Sequence, residues 1–224
     1  MTETSSVQVY REDFSFLKLC LDFLNQEVEK VDDVNHYDSR CVPGYLSRLQ
    51  NGCEAKLILP QGVRAVQQLR EDSRSGEDVL YFVGFIGNRW KDVTESSLRD
   101  LWEMDDCLLG QLRNHEDIVA VCSGERNPGG DWANLVIFRD PSAVEKWRNV
   151  KFHDKAVRDI SPQVYTSVRI HRGVLPQGLA SDRFRVERTL FLNYDNIAST
   201  VQRRHIQMWT STLTDTPTSP CYAL

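Results

Sequence analysis

The stretch "NVKFHDKAVRDISPQVYTSVRIHRGVLP" (residues 149–176) decides the fold. It leaves an amphipathic helix, meets Ser161-Pro162, and runs on as an alternating strand, "VYTSVRIHRGVL" (164–175), ended by Gly173 and Pro176. The residue before a proline is pushed out of the helical region, so the helix is expected to stop at Ser161. Upstream, Asp140-Pro141 opens that helix. The aspartate carboxylate accepts orphan amide hydrogens, and proline at the first helical position has none to waste. Val144 and Trp147 lie along one side of it.

Further back, "DIVAVCSGE" (117–125) and "WANLVIFR" (132–139) flank the turn signal "RNPGGD" (126–131) and read as a hairpin. "TESSLRDLWEMDDCLLGQLRN" (94–114) places Leu98, Leu101, Trp102, Leu108, Leu109 and Leu112 at helical spacing, with Thr94 or Ser96 as cap. "EMDD" (103–106) reads as its solvated face, and Trp102 and Trp147 as core anchors. "VLYFVGFIGN" (79–88) is apolar on both faces and reads as a central strand. Gly84 within it implies close approach of a helix or a ligand. The order β-α-β-β-α-β is the ferredoxin-like split unit. The expected fold is therefore α+β, with a ferredoxin-like core and antiparallel sheet over 79–176.

Residues 1–78 form an N-terminal extension and 177–224 a C-terminal one. "DFSFLKLCLDFLNQEVEKV" (13–31) repeats Phe16, Leu17, Cys20, Leu21, Leu24 and Val28 at i, i+3, i+4, an amphipathic helix. "HYDSRCVPGYLSRLQNG" (36–52) reads as loop with one helical turn at "YLSRLQ". "CEAKLILP" (53–60) is a strand, "GVRAVQQLRED" (62–72) a helix and "SRSGED" (73–78) a linker. "RFRVERTLFLNYD" (183–195) is a further outer strand, and "VQRRHIQMW" (201–209) a tail helix or partner-binding segment. The Thr/Ser/Pro-rich end is expected to fray.

Composition is that of a globular protein: 224 residues, 41% apolar and 26% charged. A net charge of −5 without basic blocks argues against nucleic acid as a partner. No apolar run reaches the roughly 18 residues of a membrane helix, and the polar N-terminus is no signal peptide. Cys20, Cys41, Cys53, Cys107, Cys122 and Cys221 form no C-x-x-C pair. They read as reduced thiols of a cytoplasmic protein, without zinc-ligand spacing.

The element order, the Trp147…His153 helix and the Pro162…Tyr165 entry into the last strand resemble the dimeric α+β barrel superfamily, the antibiotic-biosynthesis-monooxygenase-like group. The resemblance covers residues 79–176. It implies a homodimer in which two sheets face each other across a cavity. In the haem-degrading branch, a histidine in the second helix ligates iron, with an asparagine on the first strand and a tryptophan on the third. His153, Asn88 and Trp132 hold the matching positions, so haem is the one cofactor the resemblance admits. A histidine near a helix C-terminus is also favoured by the dipole alone, the simpler role for His153.

Alternation gives the last strand two faces. Val164, Thr166, Val168 and Ile170 suit the helices; Tyr165, Ser167, Arg169 and His171 form the opposite set. On the third strand Trp132, Asn134, Val136 and Phe138 share a side, opposite Leu135 and Ile137. The expectation is a cavity wall of Tyr165, Arg169 and His171, with Trp132, Asn134 and Phe138 against a ligand. His171 would move protons, Arg169 hold an oxyanion, and Tyr165 donate to it. Two functions fit. One is a cofactor-independent monooxygenase, cyclase or isomerase acting on an aromatic or polyketide-like substrate. The other is a non-catalytic ligand-binding or stress-related dimer. A polar sheet face can also be solvated, or covered within one subunit by the N-terminal helix and the outer strands.

Overall fold

A computed structural model of the chain describes residues 3–30, 45–73, 79–112, 115–148, 151–195 and 202–209. The first half holds helix α1 (Glu3–Glu29), strands β1 (Tyr45–Arg48) and β2 (Glu54–Ile58), helix α2 (Gly62–Ser73), strand β3 (Leu80–Arg89) and helix α3 (Glu95–Leu112). Next come the strands β4 (Ile118–Glu125) and β5 (Trp132–Phe138), and the helices α4 (Pro141–Arg148) and α5 (Lys151–Lys155). A π-helical turn (Ala156–Ile160) leads into α6 (Ser161–Val164) and β6 (Tyr165–Leu175). A 3-10 turn (Gly178–Ala180), β7 (Arg185–Tyr194) and β8 (Gln202–Met208) complete the described elements.

The eight strands form one antiparallel sheet in the order β1-β2-β4-β5-β3-β6-β7-β8. The expected β-α-β-β-α-β succession occupies its middle, as β4-β5-β3-β6. Both extensions are built into the same sheet: β2 pairs with β4 at one side, β7 with β6 at the other. Two short segments differ from expectation. Residues 45–48 are an edge strand, not a helical turn, and 202–208 are a strand paired to β7, not a helix. Neither segment is long enough to hold a helix by itself, and each has a neighbouring strand with backbone groups to satisfy. The linker at 74–78 and the tail at 210–224 lie outside the described residues, as do Cys41 and Cys221.

Helices cover both faces. α3 and the α4–α6 segment lie on one, where Leu109, Leu112, Ile118, Phe138 and Ala143 pack. Beside them Met104, Ile160, Val164, Tyr165 and Val168 form a second cluster. α1 lies across the other face. Its stripe Phe16, Leu17, Cys20, Leu21 and Leu24 meets Phe82, Ile86, Leu135 and Ile137 in the largest cluster. Burial of a large aliphatic or aromatic side chain contributes roughly 1.5–3 kcal/mol, so α1 is held firmly. The sheet face that the resembled family turns toward a second subunit is thus covered here by the chain's own helix.

Local chemistry explains the helix ends. Thr94 Oγ1 accepts the Ser97 amide at 3.1 Å, and Asp140 Oδ1 accepts the Ser142 amide at 2.6 Å. These are the caps the sequence implies. The second helix does not stop at Ser161. It widens into the π turn, with the Ser161 amide reaching back to the Ala156 carbonyl, and then adds one more turn beyond Pro162. Proline at the start of a turn removes no needed donor, so the break becomes a change of pitch.

Gly84 accounts for the approach of α1. A Cβ built there would lie 2.6 Å from Leu17 Cδ1. Gly87, one pleat along on the α3 side, makes the same room for the Tyr165 ring.

Candidate functional site

The polar residues of β6 do not converge as simple alternation predicts. Asn88 pairs with Ser167, but Arg89 pairs with Tyr165, leaving Thr166 as an extra residue. Such a bulge resets which side the preceding residue faces. Tyr165 therefore turns under α3, against Phe85 and Met104, while Arg169 and His171 face α1. The expected Tyr165–Arg169–His171 wall is split across the sheet. Burial first, then the carboxylates of Asp105 and Asp131, push the Tyr165 hydroxyl well above its ordinary range. It is no ready proton source near neutrality.

Arg169 and His171 are engaged with a residue the sequence reading passed over. Arg169 forks onto Asp13 of α1, Nε to Oδ2 at 2.6 Å and Nη2 to Oδ1 at 2.8 Å. His171 Nε2 lies 2.9 Å from Asp13 Oδ2, and its Nδ1 2.9 Å from Thr189 Oγ1. The Trp209 indole N–H donates to Thr189 Oγ1 at 3.0 Å. The run therefore passes from the Trp209 indole to the Thr189 hydroxyl, on to the imidazole and across it to the Asp13 carboxylate. Asp13, His171 and Thr189 are fully buried, Arg169 nearly so, and the Phe14 ring centre lies 4.8 Å from that of the imidazole, the two rings tilted by 54°. Burial pushes the Asp13 carboxyl up, but the bonds from Arg169 and His171 prevail and hold it below its usual range. Among the described residues, the buried run Asp13–His171–Thr189 joins α1 to β6 and β7, with Arg126 3.9 Å from the other Asp13 oxygen.

Asp13 was legible in one respect. It lies four residues before Leu17 on the apolar stripe of α1, and a carboxylate on a buried stripe must find a partner.

Asn88 belongs to the same face. Its amide donates to Ser167 Oγ at 2.9 Å and its carbonyl accepts from Arg126 at 3.0 Å. Trp132 stands on the opposite face of the sheet, and His153 packs edge-on against Trp147 on α4. The three residues matched to a haem site do not converge.

Trp132 and Asn134 do meet Tyr165, in a recess between the sheet and α3. Lys56, Ser123, Asn134 and Phe85 are register partners across β2, β4, β5 and β3. Ser123, Asn134 and Phe85 line the floor; Trp102 and Asp105 of α3, with Trp132, line the walls. The volume is about 40 Å³. Pockets that enclose a drug-sized ligand run to roughly 300–1,000 Å³, so this one has room for an end group and not for a polyketide. Phe138 shares the strand face but is sealed among Ile58, Leu109 and Ile118 and does not reach the recess.

Trp102 is 36% exposed and edges Trp132 at 5.7 Å, so it is a wall of the recess and not a core anchor. Lys56 Nζ lies 5.4 Å from the Trp102 ring centre and 5.6 Å from that of Trp132. It also lies 3.7 Å from an Asp105 carboxylate oxygen. Burial raises the Asp105 carboxyl despite that lysine. Asp105 is therefore not on a solvated face. Its position in the Leu101–Leu108–Leu112 stripe was the available signal.

A wider depression of about 370 Å³ lies between α1, α2 and the 3-10 turn, bordered by Lys18, Asp22, Asn25 and Arg70. Its lysine pairs with Asp22 and its arginine with Glu29, and among the described residues no aromatic ring lines it. The aromatic recess is the better candidate. Among the described residues no helix is long and apolar enough to cross a membrane. Compared with protein-family models, with curated proteins and with solved structures, the chain matches none.

Proposed function

We propose that this chain is a non-catalytic ligand-binding protein, and that the recess between Trp102 and Trp132 takes the end group of a small molecule. One observation carries this reading. The side chains suited to proton and oxyanion chemistry, His171 and Arg169, are closed into the buried Asp13 network. The accessible aromatic and polar groups, Trp102, Trp132, Asn134 and Asp105, gather elsewhere. Aromatic walls with a few polar groups are the usual composition of a recognition site.

The β4-β5-β3-β6 order supports a ferredoxin-like core, and with it kinship to the dimeric α+β barrels. The oxygenase, cyclase or isomerase reading shares that support but needs a substrate to reach His171. A homodimer, if it forms, joins through a surface other than the face under α1. The cytoplasmic location belongs to the same proposal and draws on the free thiols of Cys20, Cys53, Cys107 and Cys122.

The test is mass spectrometry of ligand carried through native purification, repeated on Trp132→Leu and His171→Gln. Loss of ligand in the first and retention in the second is expected. Loss confined to a folded His171→Gln would overturn the assignment of the site.

A further inference from the structure

An ammonium ion already occupies the mouth of the recess, and it belongs to the protein. Lys56 Nζ stands within 6 Å of two indole ring centres, with an Asp105 carboxylate oxygen nearer still at 3.7 Å. Indole faces attract cations through their quadrupole, and paired aromatic walls with a nearby carboxylate are how proteins hold alkylated ammonium groups.

Lys56 itself is a long, flexible arm on β2, with its side chain 22% exposed, and Asp105 is 24% exposed. Its stem can leave the rings without disturbing the backbone pairing of Lys56 with Ser123. The rings do not depend on the lysine for their placement. Trp132 opens β5 and Trp102 is carried by α3, and they meet edge-on through their own contact. The seat therefore persists when the arm swings out, and the small free volume behind it grows by the space the ammonium vacates.

From this geometry we infer that the Trp102–Trp132–Asp105 box is a binding site for an alkylammonium group, held in the resting chain by Lys56 as an internal competitor. The ligand class is a small molecule ending in a quaternary, fully methylated ammonium. Such a group lacks hydrogen-bond donors and relies on aromatic faces, whereas the lysine ammonium remains strongly hydrated. This inference rests on the recess being a ligand site and specifies what enters it.

The experiment follows the indole N–H resonances of the full-length protein during titration with choline, and separately with 3,3-dimethyl-1-butanol, its uncharged carbon counterpart. Wild type, Lys56→Met, Trp102→Phe and Asp105→Asn are compared, with melting curves to establish that each is folded. Choline is expected to shift the Trp102 and Trp132 signals, and the alcohol to do so far more weakly. Lys56→Met should bind choline roughly fivefold more tightly than wild type, because the competitor is gone. Asp105→Asn should bind it more weakly. Equal binding of choline and the alcohol, at the same two tryptophans, would end the cation inference while leaving the recess as a ligand site. Choline affinity unchanged or reduced in folded Lys56→Met would also overturn it. Ligand carried through purification but lost in His171→Gln alone would remove the underlying site as well.

Discussion

Asp13 Oδ2 and His171 Nε2 lie 2.9 Å apart, and neither side chain has any surface open to solvent. They come from the first helix and the sixth strand, 158 residues apart in the chain. The bond, with the Arg169 fork beside it, supplies polar specificity at an otherwise apolar helix–sheet contact. A carboxylate placed there tolerates only the register of α1 that delivers it to the guanidinium and the imidazole.

Removing one member of such a network leaves the others buried without their counterpart. Asp13→Ala should therefore lower the unfolding free energy by about 3–5 kcal/mol. Urea titration measures this. A loss of a few tenths would show that the network contributes little. Combining Asp13→Leu with Arg169→Met should cost less than the sum of the two single changes, because the pair is removed together.

The acid limb of stability should report the same carboxyl. Its folded-state value lies below the ordinary 3.8. As the pH falls, the unfolded chain takes up this proton first. The stabilisation is complete above the ordinary value and is lost as the pH drops through the depressed one. Unfolding free energy measured from neutrality down to about pH 2 should decline in wild type below about pH 4. Asp13→Asn should lack that component. Parallel curves for the two proteins would refute the assignment.

At Gly84 the expected cost is steric. A side chain there meets Leu17 and must lift α1 from the sheet. Gly84→Val should destabilise by about 1–3 kcal/mol, and pairing it with Leu17→Ala should recover part of the loss. A neutral Gly84→Val in thermal unfolding would mean that α1 does not press on β3.

Thiol reactivity should sort by position. Cys107 is exposed on α3, whereas Cys20 and Cys122 are buried where α1 crosses β4. The Cys122 side chain beside it, and then burial, push the Cys20 thiol well up, so it yields little thiolate. Iodoacetamide under native conditions, read by peptide mass, should label Cys107 and spare Cys20 and Cys122. Rapid labelling of Cys20 would indicate that α1 opens.

Much of the fold was readable because its signals are local. The stripe of α1, the caps at Thr94 and Asp140, the hairpin at 126–131 and the tight approach at Gly84 each follow from a few neighbouring residues. The misplacement of Tyr165 has a definite origin. Alternation assumes unbroken register, and the extra residue Thr166 has no signature of its own in "YTSVR". The strands at 45–48 and 202–208 are short, and their identity comes from partners that local pattern does not name. For the site, strand parity grouped Trp132 with Asn134 but set them beside Arg169 and His171, and the sheet in fact separates the two pairs; Lys56, Trp102 and Asp105 join Trp132 and Asn134 only through tertiary packing. Two carboxylates on apolar stripes, Asp13 and Asp105, were the visible hints of both polar constellations.

The long span between α1 and its docking partners bears on how the protein is made. Synthesis delivers the first helix from the ribosome well before β6, β7 and Trp209 exist, and those are the groups that receive Asp13 and Phe14. Its apolar stripe can meet β2 to β5 before then, but Asp13 has to wait beside it without a counterpart until β6 emerges. Nascent chains truncated before residue 169 carry the Asp13 carboxylate with neither the guanidinium nor the imidazole that receives it, so in that interval α1 is least securely docked and most open to chaperones and aggregation.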